Sequence, residues 1–193
     1  MLLLAASVVV ATASGLRVDP QRAVRAPNAA RCGGQLWRMK TMSDIQRRSV
    51  RLVPSSTTIG AISRRPYPRP TPRRRRTNYQ RQDWQVVAQV TNYRMDSGGI
   101  RLILFDAGLY VNAVIPAPSC LTARSRGRAA IAAAWKNFVL NCGTPRPDWQ
   151  PLGAVMYISG VGFWSQKGKP RRGAARNGAE LHPVTGFRVV AGC

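Results

Sequence analysis

Residues 155–163 constrain this chain more than any other stretch. Val155, Tyr157, Ser159, Val161 and Phe163 alternate there with Met156, Ile158, Gly160 and Gly162. A period of two belongs to a β-strand, whose side chains point to opposite faces in turn. The glycines fall where a strand must bend or where another backbone comes close. A glycine-, lysine- and arginine-rich excursion over residues 167–177 follows. Residues 180–190 then read as a second strand, interrupted by Pro183 and Gly186. The pair is a long-looped hairpin suited to closing a small β-barrel.

The segments upstream are equally regular. Residues 84–94 (WQVVAQVTNYR) alternate as a strand, and Asp96-Ser-Gly-Gly is a turn by composition. Residues 100–106 (IRLILFD) form the next strand, with Ile100, Leu102 and Leu104 on one face. Ala107-Gly108 turns the chain into residues 109–115 (LYVNAVI), stopped by Pro116. Residues 126–140 are alanine-rich, with Ile131, Trp135 and Phe138 at helical spacing, and Asn141-Cys142-Gly143 stops that helix. The order β-β-β-α-β-β predicts a mainly β fold, a small five-stranded OB-like barrel with its helix between strands three and four. An open α+β sheet with the helix on one face is the rival. Closure is preferred because it removes the edge strands.

GVGF, a variable loop and ARNGAELHPVTGFRV together resemble the closing motif of a family of secreted bacterial proteins. The usual form there is G-V-G-F-F-D-x-x-H-G-Q-x-G-x-A-P-N-x-x-E-L-H-P-V. A second segment of that family, W-x-V-K-T followed by D, V-x-L-x-P and T-T-I, is similar to residues 36–62. Trp37, Lys40, Thr41, Asp44, Val50, Leu52, Pro54, Thr57, Thr58 and Ile59 carry the match. The resemblance covers residues 36–188 and implies export, but no activity. The family's aspartate after G-F-F and its other histidine are missing here, where the loop reads Trp164-Ser-Gln-Lys-Gly.

Charge sets the candidate partners. A net charge of +23 draws the chain to polyanions: nucleic acid, anionic lipid surfaces or cell-envelope polymers. Arginine supplies 26 of the 30 basic residues, which codon bias in a GC-rich genome would also produce. Residues 1–13 are apolar and end in Ala-Thr-Ala, as the core and cleavage site of a signal peptide do. Residues 14–35 read as a mobile arm, and 36–62 as a segment packing on the barrel. Residues 63–82 hold eight arginines among alternating prolines and read as an extended, solvated linker. The barrel domain occupies 83–193. Cys32, Cys120, Cys142 and Cys193 form no C-x-x-C pair, so disulfides in an exported chain are expected. Cys120 with Cys142, bracketing the helix, is the favoured bridge and leaves Cys32 with Cys193; three connectivities stay open.

Catalytic material is sparse, with seven acids and one histidine. Glu180 and His182 lie two apart on a strand and so project from one face, as an acid–base pair would. The competing reading is structural, with Asn177, Glu180 and His182 bonding the loop that folds over them. Asp106 ends a strand as a nuclease carboxylate might, yet no further acid follows before Asp148. No metal site, cofactor or cysteine nucleophile is expected. Binding has better material: Trp164, Lys167, Lys169, Arg171, Arg172 and Arg176 combine cations with an aromatic near one loop. The sequence therefore predicts a secreted, non-catalytic polyanion-binding protein. A degenerate hydrolase or nuclease-like enzyme centred on Glu180 and His182 is the alternative, and a structural envelope protein a third.

Overall fold

The computed structural model describes residues 32–96, 98–165 and 172–193. The expected signal peptide and most of the expected arm lie outside the described residues. The chain is mainly β, with one six-stranded sheet and few helices. Its strands are β1 (Arg51–Ser56), β2 (Gln82–Asp96), β3 (Gly99–Asp106), β4 (Leu109–Pro116), β5 (Gln150–Trp164) and β6 (Ala179–Ala191). Its helices are α1 (Trp37–Lys40), α2 (Ile59–Ser63) and α3 (Arg128–Cys142). No helix among the described residues is long and apolar enough to cross a membrane.

The strands are hydrogen-bonded in the order β1-β2-β3-β4-β6-β5, and β2 also pairs with β5. The five strands expected from the sequence are β2 to β6. The sixth is a correction: β1 runs parallel beside β2, with Arg51 opposite Gln82 and Ser55 opposite Trp84. It passed unread because RLVPSS carries Pro54 and does not alternate.

Alternation in β2 to β6 fills the main core. Val86, Val90, Leu102, Leu104, Val111, Met156, Ile158 and Leu181 are buried together on one face. Helix α3 begins after Gly127, whose φ of 70° turns the chain into it, and ends at Gly143, whose N–H bonds the Val139 carbonyl. Its Phe138 is wholly buried between Tyr93 and Phe187, at ring distances of 5.0 and 5.5 Å. Burying one such side chain stabilises by about 2–3 kcal/mol.

The other face of the sheet is covered too. Met42 and Val50, from the segment after α1, pack with Ile131 and Val161 in a second, smaller core. A Cβ at Gly162 would collide with the Tyr79 carbonyl, so β5 carries a glycine where the approach to β2 crosses it.

Residues 63–82 are not a solvated spacer. Arg75 is fully buried, and its Nε and Nη2 donate to the Asp44 carboxylate at 2.9–3.3 Å. Nη1 donates to the Gln80 carbonyl and Nη2 to the Met39 carbonyl, while Gln46 Oε1 accepts from the Arg75 backbone. A guanidinium with five donors can hold several acceptors at once, which makes burial tolerable. Arg65 lies 4.3 Å from the Trp84 ring centre, and Asn177 Nδ2 donates to the carbonyls of Ile62 and Arg65. The stretch is thus strapped to the sheet at several points.

The disulfides also differ from expectation. Cys32 is bonded to Cys120 and Cys142 to Cys193, with Cα separations of 5.3 and 4.8 Å. The favoured Cys120–Cys142 bridge is replaced because α3 packs along β6, Phe138 against Phe187, which brings Cys142 at the helix end to Cys193 just past that strand.

Candidate functional site

The same-face placement of Glu180 and His182 holds, since Leu181 between them enters the main core. Their face lies under the N-terminal segment and is buried, leaving Glu180 2% and His182 4% exposed. Asn112 stands opposite Glu180 across the β4–β6 pairing, and Arg101 Nη1 is 3.9 Å from Glu180 Oε1. Among the described residues, no hydrogen-bond partner is present for either nitrogen of His182, for the Asn112 amide atoms or for Glu180 Oε1. Buried polar atoms are nearly always bonded, and each exception costs about 1–3 kcal/mol. Burial, then the charges of Lys40, Arg101 and Arg75, push the His182 imidazole well below its usual range, so the ring is neutral at pH 7.

His182 forms part of the wall of a cleft of about 490 Å³. Gly33, Gly34, Trp37 and Lys40 line it from the N-terminal segment, Arg94 and Asp96 from β2, Arg101 from β3 and Val114 from β4. Trp149 and Arg172 complete the rim. Arg101 Nε donates to Asp96 Oδ2 at 2.7 Å, and Arg94 Nη2 approaches the same oxygen at 3.6 Å. The guanidiniums of Arg94 and Arg172 lie 4.8 and 5.5 Å from the Trp149 ring centre. Stacking of this kind holds two cations at the mouth without neutralising them. Lys40 Nζ sits 5.3 Å from the Phe163 ring centre, and the His182 ring 5.8 Å from it. Four cations thus converge where two carboxylates, Asp96 and Glu180, oppose them. The Cys32–Cys120 bridge ties the first lining residues to the turn after β4.

Of the expected binding residues, Arg172 reaches this cleft and Arg176 is exposed outside it. Lys167, Lys169 and Arg171 lie outside the described residues. Trp164 does not offer its ring to a ligand: it is 2% exposed, packs edge-on against Tyr67 and tilted against Tyr79, and donates Nε1–H to Thr77 Oγ1. The end of an apolar strand drew it into the core. Phe105 and Tyr110 form a ring pair away from the cleft, and Cys120 is no nucleophile because it is disulfide-bonded. Asp106 and Asp148 are exposed, and no group of three potential metal ligands occurs among the described residues. Asn177 keeps a structural role, whereas among the described residues no bond joins the side chain of Glu180 or His182 to that loop. Arg101 and Asn112 were missed as site residues. Their signal was an arginine inside IRLILFD and an asparagine inside LYVNAVI, polar residues where both strand faces are covered.

No known protein-family model matches this chain. No curated protein is similar to it either. Among solved structures, similarity is found to the crystal structure of a putative aspartyl-tRNA synthetase from Leishmania major Friedlin, at 11% identity and a TM-score of 0.42. The match covers 75% of this chain and 22% of that one, and a likeness of this degree carries no argument.

Proposed function

We propose that this protein is a secreted, non-catalytic binder of an anionic polymer, nucleic acid or a cell-envelope polymer, and that the cleft beside His182 is its site. The observation that carries this reading is the convergence of Lys40, Arg94, Arg101 and Arg172 on one cleft with Trp37 and Trp149. Anionic groups meet the cations, and rings of the ligand stack on indole. Two disulfides and a leader-like start support export, as does the resemblance to a secreted bacterial family. The run of pairings from β2 through β3, β4, β6 and β5 back to β2 supports an OB-like barrel. In that fold ligands bind on the strand-two and strand-three face between the one–two and four–five loops. Here Arg101 and Val114 belong to that face, with Asp96 and Arg172 beside those loops.

The test is the salt dependence of binding to a labelled single-stranded oligonucleotide and to a wall-type polyphosphodiester. Arg94→Gln with Arg172→Gln should lower the log–log slope by about 1–2 units if each cation meets a phosphate. Replacing exposed Arg64, Arg69, Arg73 and Arg74 with Gln controls for charge alone. An unchanged slope in the first variant overturns the reading.

A second reading, a hydrolase centred on Glu180 and His182, is favoured by the buried, unpartnered atoms of that pair. A neutral imidazole can accept a proton from water, with burial and the neighbouring cations weakening it as a base. It expects His182→Ala to abolish turnover of a polymer ester while Arg94→Gln raises its KM. Binding without turnover in the wild type decides for the first reading.

A further inference from the structure

A pocket of about 450 Å³ lies at the seam between β1 and β2, at the opposite end of β2 from Arg94 and Asp96. Ser49 and Arg51 line it from the entry to β1, Asn78 and Arg81 from the turn before β2, and Gln82 and Trp84 from β2 itself. None of the six carries a carboxylate. The pocket shares no lining residue with the cleft beside His182.

The walls are fixed by bonds that leave the cationic groups over. Gln82 Nε2 donates to the carbonyls of Val53 and Asp83, both at 2.8 Å, and so clips the two strands together. Trp84 Nε1–H donates to the Tyr79 carbonyl, and the Ser49 hydroxyl to that of Gln46. Arg81 Nε donates to the Arg75 carbonyl at 2.8 Å, which anchors it to the buried strap. Among the described residues, the Nη groups of Arg81 and the whole guanidinium of Arg51 have no hydrogen bond or ion pair. Acids of the adjoining segments are engaged elsewhere. Asp44 holds Arg75, and Asp83, between Gln82 and Trp84, faces the other side of β2, where the Thr185 hydroxyl donates to it.

Two like charges in one concave pocket repel, and protein walls of low dielectric strengthen the repulsion. An anion between them turns that field into attraction. The guanidinium fork matches phosphate and carboxylate oxygens alike. One fork satisfies a planar carboxylate. Two forks rooted on separate segments suit oxygens that point in different directions, as those of a tetrahedral oxyanion do.

We infer that this pocket is a second anion site, that its ligand is a phosphate group, and that Arg51 and Arg81 hold it with the Asn78 amide. The site goes beyond the cleft and does not depend on it. Its phosphate comes either from solution or from the polymer, and the two sources are separable.

The experiment titrates nitrogen-15-labelled, oxidised full-length protein with inorganic phosphate, and separately with acetate, at pH 7 and constant ionic strength. Backbone amide shifts are the readout. Phosphate should produce saturable changes at residues 49–52 and 78–84, and acetate should bind at least about tenfold more weakly, since it engages one fork. Arg51→Gln removes an exposed side chain with no bond to lose, and should weaken phosphate at least about tenfold. Arg81→Gln should do the same, with urea unfolding run beside it because the bond to the Arg75 carbonyl is lost too. Arg94→Gln with Arg172→Gln should leave these changes in place. Shifts that never saturate, acetate binding as well as phosphate, or wild-type affinity in Arg51→Gln overturns the inference. If the phosphate belongs to the polymer, Arg51→Gln also lowers the oligonucleotide's log–log salt slope by about one unit. Saturation by inorganic phosphate with an unmoved slope keeps the site and assigns it to free phosphate. Loss of the slope dependence on Arg94 and Arg172, with phosphate still saturating here, removes the cleft reading alone.

Discussion

Asp44→Asn tests whether the cleft's outer wall is held by one buried ion pair. The carboxylate accepts from Arg75 Nε through both oxygens and from Nη2 at 2.9 Å, and the Arg75 side chain is 0% exposed. The amide keeps the shape but not the charge, and turns an N–H₂ toward a group that only donates. Removing one partner of a buried pair costs about 3–5 kcal/mol. The carbonyls of Met39 and Gln80 still receive Arg75, which favours the lower end, about 3 kcal/mol. For a chain of 193 residues that corresponds to a fall in Tm of about 6–12 °C. Urea unfolding of the oxidised protein measures it, with the slope against denaturant unchanged if only stability has moved. Asp44→Leu with Arg75→Met should recover most of the loss, because the desolvation cost of both charges disappears with them. A loss below about 1 kcal/mol, the range of an exposed pair, would refute the reasoning.

Two further expectations are independent of the ligand. Burial raises the Asp83 carboxyl to about 6, against the bond donated by the Thr185 hydroxyl, so its contribution to stability is full below pH 4 and is lost as pH rises toward 6. Depressed His182 acts oppositely, its contribution present above about 6.5 and lost as pH falls. Between pH 4 and 6 the two slopes oppose each other in the wild type; in Asp83→Asn the His182 slope stands alone, so unfolding free energy should fall as pH drops below 6.5, by up to about 1.4 kcal/mol per unit, and a flat profile there would refute the assignment. Non-reducing peptide mapping should recover Cys32 with Cys120 and Cys142 with Cys193. Removing the second bridge with Cys142→Ser and Cys193→Ser should cost about 4 kcal/mol in the chain-entropy account of its 51-residue separation.

The strands β2 to β6 and helix α3 were legible because each turns apolar side chains into the main core at its own period, within a few residues of the observed bounds. β1 was not, since Val53 and Pro54 are exposed and its pairing with β2 is an edge contact. Arg75 is one of four consecutive arginines, and nothing local marks it as buried. Its partner lies 31 residues upstream, so only the tertiary fold selects it. The pairing of cysteines failed for a similar reason: spacing along the chain does not say which chain ends the packing of α3 on β6 brings together. At the site, the Glu180–His182 face was readable from period two. The arrival of Lys40 and Trp37 over that face depends on how the N-terminal segment lies across the sheet, which no strand pattern contains.

The β4–β6 seam is the shortest in the run of pairings that leaves β2 and returns to it. It is parallel and registers only Asn112 with Glu180 and Ala113 with Leu181, whereas β3 and β4 pair along their whole length. Two rungs hold a boundary less firmly than eight, and local opening proceeds from such boundaries at free energies below that of global unfolding. Asn112 and Glu180 sit on that boundary, directly behind Arg101 of the cleft wall. A ligand reaching both Arg101 of β3 and His182 of β6 bridges the two sides as a rivet would. Amide hydrogen exchange would register it as slowing along residues 111–114 and 180–183.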